Sequence, residues 1–136
     1  MKKITLSIVI SLVIYLDSFA HVDHYAKYNY LEYELFRNNQ PIGYHKFNFD
    51  REGNKLSIIS EVSFKITKLG VDLYKKIEKS VENYDNGNFK SYTSKTKQNK
   101  KDRYVNIKID NSDNKLIIDG SSYQGKANKN FIVGTW

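Results

Sequence analysis

The sequence predicts an all-β domain, an antiparallel meander that forms a curved sheet or half-barrel. Apolar and polar residues alternate with a period of two over several segments, as in strands that have one buried face. Turn-forming residues separate these segments at short, regular intervals. No helical pattern of the kind that connects parallel strands lies between them, which favours antiparallel pairing.

Residues 1–20 have the layout of a signal peptide helix that precedes this domain. A basic start is followed by an uncharged apolar run from Ile4 to Leu16, and then by small residues at Ser18 and Ala20. The apolar run is shorter than the roughly 20 residues that a transmembrane helix needs. We therefore expect cleavage between Ala20 and His21 and export to the periplasm or the medium; retention of the segment as an anchor is the alternative.

Residues 21–29 form a polar arm, and the antiparallel domain is expected over residues 30–136. Alternation within residues 31–35, 43–49 and 56–66 predicts the first three strands, which are separated by turns rich in Asn, Asp and Gly.

The next segment, residues 69–84, has two interpretations. Its apolar residues recur every fourth position, which fits one face of a helix, but they also all occupy odd positions, which fits one face of a strand. The sequence Asp85–Asn86–Gly87 that follows favours a two-residue hairpin turn, whose first arm must be extended. We therefore predict a strand over 73–84. Its apolar residues are Leu69, Leu73, Ile77 and Val81, and the opposite face, with Glu78 and Glu82, is predicted to be solvated.

Alternation predicts further strands at residues 89–94 and 105–109, joined by a basic loop or hairpin tip over 95–103. Residues 116–118 are a short apolar segment, and residues 120–130 are polar. Another apolar stretch begins at Phe131 and stops at Trp136. Because a domain usually finishes on a polar tail, we expect the sheet to be incomplete at its C-terminus.

Several short segments, in this order, resemble domain-of-unknown-function family 6134, an uncharacterised family of exported bacterial proteins. The resemblance covers about residues 30–136, or the N-terminal two thirds of that domain, and implies an all-β exported fold with no established activity. In outline, the fold that this resemblance implies is similar to that of other exported envelope proteins with curved sheets, some of which bind lipid. The segments are Tyr33–His45 with its Ile42–Gly43–Tyr44, then Leu69–Gly70 with Leu73–Tyr74, Glu82–Phe89 and Gly134–Trp136.

The leading functional hypothesis is a non-enzymatic module that binds an apolar or lipid-like ligand. Five apolar residues alternate along the third strand, and such a face can hold an apolar ligand or simply form the core. His45 shares a strand face with Phe47 and Phe49, where a histidine is more often a packing residue than a site residue. The candidate ligand-binding residues are Leu56, Ile58, Val62, Phe64, Ile66 and His45.

Enzymatic chemistry has little support in the sequence. No catalytic motif, phosphate-binding loop or metal-binding motif is present, so we expect no cofactor, no metal and no enzyme activity. Glu78 and Glu82 are the one candidate acid–base pair. After cleavage, His21 with its free amine, together with Asp23 or His24, would be a weak copper chelator, and a flexible arm is the simpler interpretation.

Net charge and cysteine content limit the classes of partner that the protein can have. The net charge is +7, and lysines 95, 97, 100 and 101 with Arg103 form the densest basic run. The simpler interpretation of this charge is a composition rich in Lys and Asn, with the lysines of the basic run solvated at a hairpin tip. An anionic envelope surface is the alternative, and nucleic acid is an unlikely partner for an exported protein. The chain has no cysteine, which excludes disulfides and a lipidated cysteine. The runner-up function is a structural or interaction module that pairs an exposed sheet edge with an envelope protein.

Overall fold

The computed structural model describes residues 25–129, which form one antiparallel sheet of eight strands in the order of the chain. The predicted all-β meander is confirmed, and β1 does not pair with β8 to close a barrel. The predicted signal peptide, the cleavage between Ala20 and His21, and the last residues up to Trp136 lie outside the described part. The strands are β1 Tyr30–Arg37, β2 Gln40–Glu52, β3 Lys55–Lys68, β4 Val71–Asp85, β5 Asn88–Gln98, β6 Lys101–Asp110, β7 Lys115–Gly120 and β8 Gln124–Asn128.

The segment with two interpretations is a strand. β4 is the longest strand, and it pairs with β3 over its whole length and with β5 from Lys76 onward. Asn86 and Gly87 both have positive φ, 51° and 72°, as the two central residues of a type I′ hairpin turn require. Among residues 25–129, no helix is long and apolar enough to cross a membrane.

Burial is concentrated on one side of the sheet, which we call the core face; the opposite side is the outer face. Two groups of buried apolar side chains lie on the core face, and Phe89 packs against both of them. The register places them on the same side, since Ile58 is opposite Phe49 and Tyr92 is opposite Ile107. The first cluster contains Phe47, Phe49, Ile58 and Tyr84, and the second contains Tyr92, Ile107 and Leu116.

The predicted solvation of one face of β4 is wrong. Glu78, Ser80 and Glu82 are buried on the core face, whereas Ile77 and Val81 lie on the outer face. The cause is the pairing with β3: Ile58 lies opposite Glu82 and Val62 lies opposite Glu78, so the apolar face of β3 continues into the polar face of β4. Alternation identified the two faces of β4 but not which of them the neighbouring strands bury.

The structure explains the glycine of the Ile42–Gly43–Tyr44 motif. It lies on the core face opposite Phe64, and a Cβ there would collide with the backbone of Ser63 and Phe64. Next to it, the pairing with β1 shifts register between Leu35 and Phe36. The glycine is therefore required by the close approach of β2 and β3, and not by a turn.

Two segments that the sequence left as polar connections are ordered against the sheet. Residues 124–128 form β8, which pairs with β7 as the last strand of the sheet. In this strand, Gly125 lies against the Tyr123 ring. At the other edge, the Tyr25 ring stacks on Phe49 at 5.9 Å between centroids, and the Arg51 guanidinium donates hydrogen bonds to the carbonyls of Tyr25 and Tyr28.

Candidate ligand-binding face

A band of buried polar residues crosses the middle of the core face, and we call it the polar belt. Its three serines form one cross-strand row, because Ser80 lies opposite both Ser60 and Ser94. Glu82 lies between the two apolar clusters, opposite Ile58 on one side and Tyr92 on the other. The belt consists of Ser60, Glu78, Ser80, Glu82 and Ser94, all of them buried.

Hydrogen bonds make this burial possible. His45 Nε2 and Ser60 Oγ are 2.8 Å apart, and the Tyr84 hydroxyl donates to Glu82 Oε2 at 2.8 Å. In the described residues, no buried side-chain nitrogen or oxygen lacks a hydrogen-bond partner. A fully satisfied network of this kind avoids the large penalty of an unpaired polar group in a core.

Glu78 is the centre of a second set of contacts. Its Oε2 atom accepts a hydrogen bond from Thr96 Oγ1 at 2.9 Å and forms an ion pair with Lys76 Nζ at 2.9 Å. Thr96 lies directly opposite Glu78 on β5, and Lys76 lies two residues before Glu78 on β4, so both contacts are set by the sheet geometry. One ammonium group is thereby held at the border of the core face.

Burial shifts the pKa of three groups on this face. It lowers the pKa of His45, and the nearby Lys76 adds to that effect while Glu78 opposes it. It raises the pKa of the Tyr84 hydroxyl, and the Glu82 carboxylate raises that pKa further. It also raises the pKa of Tyr92, against hydrogen bonds from Ser94 and Ser80 that lower it. Both tyrosine hydroxyls are therefore neutral at physiological pH, and His45 favours its neutral form.

The two buried carboxylates do not face each other. Glu78 and Glu82 are four residues apart on one strand, which separates them by about 13 Å at the rise of an extended chain. Carboxylate pairs that act together on a glycosidic bond are only about 5 to 9.5 Å apart. Each carboxylate instead has its own hydroxyl donor, Thr96 for Glu78 and Tyr84 for Glu82.

A cavity of about 410 Å³ opens on the core face over β4 to β7, and we call it the Arg103 cavity. Its apolar wall is formed by Tyr92, Val105 and Ile118, which belong to the second apolar cluster or pack against it. Lys76 and Arg103 contribute the cationic groups at its border. The volume lies within the range of about 300 to 1,000 Å³ that is typical of small-molecule sites.

The structure brings the predicted ligand-binding residues onto one face but not into one site. Ile58 is 2% exposed and belongs to the first cluster, against which Leu56 packs. His45 lines a separate cavity of about 430 Å³ beside β1, and Ile66 lines a groove near the β3–β4 turn. Phe64 stacks on Tyr74 at 5.6 Å between ring centroids. Val62 lies opposite both His45 and Glu78, next to the polar belt.

Sequence reasoning missed most residues of the Arg103 cavity. Val105 and Ile118 were visible as members of alternating or apolar segments, but Lys76 and Glu78 were assigned to a solvated face. The available signal was the sheet order: once the hairpin register is known, a meander places residues 92, 107 and 118 in one cross-strand row, with Val105 in the next row on the same face. His21, Asp23 and His24 lie outside the described residues; within residues 25–129, no cluster of three His, Cys, Asp or Glu side chains is arranged to bind a metal ion.

Comparison with known proteins gives one match. The model of the domain of unknown function DUF6134 matches residues 33–136, from within β1 to the end of the chain. No curated protein and no solved structure matches the chain. The match confirms the resemblance that was based on the Tyr33–His45 segment and the hairpin motifs.

Proposed function

The chain belongs to the DUF6134 family, whose description assigns no activity, and from this premise we propose that it is an exported, non-enzymatic module that binds an apolar, lipid-like ligand on the core face of its sheet. The export part of the proposal depends on the signal-like layout of residues 1–20. The binding part depends on the geometry of the core face.

The single observation that supports binding most directly is the Arg103 cavity. Among residues 25–129 the strands form one layer, in which each strand pairs only with its neighbours along the chain. Tyr92 of the second cluster and two residues that pack against this cluster, Val105 and Ile118, therefore line a cavity of ligand size instead of meeting a second layer of strands. An apolar cavity with a few polar groups at its border is the usual form of a small-molecule site.

The border of the cavity indicates an amphipathic ligand with an anionic end. The Lys76 ammonium already pairs with Glu78, whereas Arg103 forms no ion pair within the described residues and donates only to Ser122 Oγ at 3.3 Å. A guanidinium presents two parallel donors that fit a carboxylate or phosphate. A fatty-acid-like molecule would place its chain on Val105 and Ile118 and its carboxylate at Arg103.

Native mass spectrometry of the protein purified from the exported fraction tests the proposal. The expected result is a chain that begins at His21 and has an additional lipid-sized mass, which is removed by organic extraction. Val105→Trp fills the cavity and should abolish the additional mass without unfolding the protein. Ile117→Trp is the matched control, because Ile117 is a half-buried residue on the outer face of the adjacent strand.

Two results would contradict this function. One is a ligand-free mass that stays ligand-free after incubation with a fatty acid. The other is an additional mass that both tryptophan variants retain equally, since the ligand would then lie elsewhere. Arg103→Gln should weaken binding of a fatty acid but not of an uncharged alkane, which separates the anionic end from the apolar wall.

An interaction module that uses a sheet edge is the second candidate, and β1 favours it. β1 is an edge strand of eight residues with three exposed aromatic side chains, and its outer side has no partner strand among the described residues. Such an edge can accept a strand from another chain. Residue 29 is hydrogen-bonded to residue 49, so the alternation of the β1–β2 pairing directs the N–H of Glu34 to the open side of β1. Glu34→Pro would remove this donor and should abolish partner capture while leaving the Arg103 cavity occupied. The aromatic residues are Tyr30, Tyr33 and Phe36.

A further inference from the structure

The turn between β3 and β4 is the most exposed apolar feature of the described residues. Leu69 is 94% exposed at its tip, and Val71 and Leu73 are exposed where β4 begins. None of these three side chains belongs to either apolar cluster. Their removal from water therefore contributes little to folding, and they are available to another surface.

Leu69 also has an unfavourable backbone conformation. Leu69 and Gly70 both have positive φ, 51° and 78°, as in the type I′ turn at Asn86–Gly87. A branched side chain destabilises this conformation, in which Asn and Gly are preferred. The other non-glycine residues with positive φ among residues 25–129 are all asparagine: Asn38, Asn39, Asn86, Asn99 and Asn114.

Basic residues surround this apolar tip. Lys65 forms an ion pair with Asp72 at 3.4 Å, which compensates the one acidic side chain of the turn. Lys68, Lys75 and Arg37 are exposed and form no ion pair with any carboxylate of the described residues. Arg37 and Lys68 line one groove with Leu73, so the β1–β2 and β3–β4 turns lie side by side at this end of the sheet.

We propose that the β3–β4 turn is a docking site for an anionic lipid surface, into which Leu69 inserts while the surrounding basic residues contact the headgroups. The combination explains both unusual features: an exposed leucine at a position that costs folding stability, and uncompensated cations around it. Apolar insertion supplies affinity for the interface, and each Lys or Arg near an anionic surface adds to it. This site lies on the turn and is independent of the ligand in the Arg103 cavity.

The first experiment measures binding of the full chain to lipid vesicles by sedimentation. The protein is expressed from residue 1 and its mass is recorded, because a retained residue 4–16 segment would itself bind membranes. Vesicles contain either phosphatidylcholine alone or an equal mixture with phosphatidylglycerol. Leu69→Asn should weaken partitioning onto the anionic vesicles about tenfold, whereas Leu69→Phe, which keeps an apolar side chain, should preserve it.

The same Leu69→Asn variant gives a second readout that separates docking from damage to the fold. Because asparagine suits the turn, its thermal midpoint should rise by about 2 to 5 °C while its vesicle binding falls. Lys68→Glu should also weaken binding to anionic vesicles about tenfold, and Lys55→Glu should not. Lys55 is an exposed lysine at the opposite end of the sheet, so it controls for the change in net charge.

Since the chain has no cysteine, a fluorophore can be attached at one chosen position. A polarity-sensitive dye on Leu69→Cys should shift to the blue with anionic vesicles, and one on Glu52→Cys, at the opposite end of the sheet, should not. Equal shifts at both positions, or unchanged binding of Leu69→Asn, would refute the proposal. So would loss of self-association in Leu69→Asn without loss of vesicle binding, because the turn would then join copies of the chain.

Discussion

β3 and β4 are adjacent, nearly equal in length and fully paired, yet they use their faces in opposite ways. On the core face β3 presents apolar side chains such as Ile58, and β4 presents Glu78, Ser80 and Glu82. On the outer face β3 presents Glu61 and Lys65 together with Ile59, and β4 presents Ile77 and Val81 between lysines. A polar face of a strand is therefore buried when its neighbours provide donors, and an apolar face is left open when nothing packs on it.

The difference has a physical consequence for stability. Burial of Ile58 contributes by the area removed from water. Burial of Glu82 requires desolvation of a carboxylate, which the Tyr84 hydroxyl offsets only while both partners are present. The two strands should thus respond differently to the same kind of truncation, and each of the following predictions tests that contrast.

The largest effect is expected for Ile58→Ala. This truncation leaves a cavity in the first apolar cluster, so the free energy of unfolding should fall by about 2 to 4 kcal/mol. Ile59→Ala is the matched control: it is the same substitution one residue later, on the outer face, where Ile59 is 42% exposed. It should cost less than about 1 kcal/mol in the same urea titration. Equal losses would mean that the two faces of β3 are buried alike.

This pair of neighbours shows what the sequence could and could not predict. Alternation in β3 placed Ile58 and Ile59 on opposite faces, and the apolar partners at Leu56, Val62 and Phe64 indicated which face is buried. In β4 the same reasoning chose the wrong face, because Ile77 and Val81 are more apolar than Glu78 and Glu82. The correct choice required the register with β3, which is a property of the pair and not of either strand.

The next effect is expected for Glu82→Ala on β4. It leaves the buried Tyr84 hydroxyl without its carboxylate acceptor, so the free energy of unfolding should fall by about 2 kcal/mol. Glu61→Ala is the matched control, since Glu61 accepts a hydrogen bond from the Tyr44 hydroxyl at 2.7 Å on the outer face. Water can replace that bond, so the loss should be below about 1 kcal/mol. A larger loss for Glu61→Ala would contradict the assignment of the two faces.

The limits of prediction for the site have the same origin. Asp85–Asn86–Gly87 predicted the β4–β5 hairpin, and the alternation around Tyr92 and Val105 predicted the strands that form the Arg103 cavity. β8 was missed, since the segment Gln124–Asn128 has one apolar residue, Ala127, and weak strand propensity. This segment is extended because its backbone pairs with the free edge of β7. The position of a site on a meander depends on such pairings, which local patterns do not encode.

The smallest effect concerns His45, which joins β2 to the polar belt through Ser60. Its pKa is held below the ordinary value of 6.5 by burial, so the unfolded chain binds a proton more readily than the folded protein does. The stabilisation by neutral His45 is complete above pH 6.5 and is lost as the pH falls through the lower folded pKa. The free energy of unfolding should therefore decrease on acidification from pH 7.5 to pH 5, by less than either truncation above. His45→Asn should reduce this slope, while histidines outside the sheet contribute equally to both proteins. An identical slope in the variant would show that the His45 imidazole remains hydrated, and that the polar belt ends at Ser60.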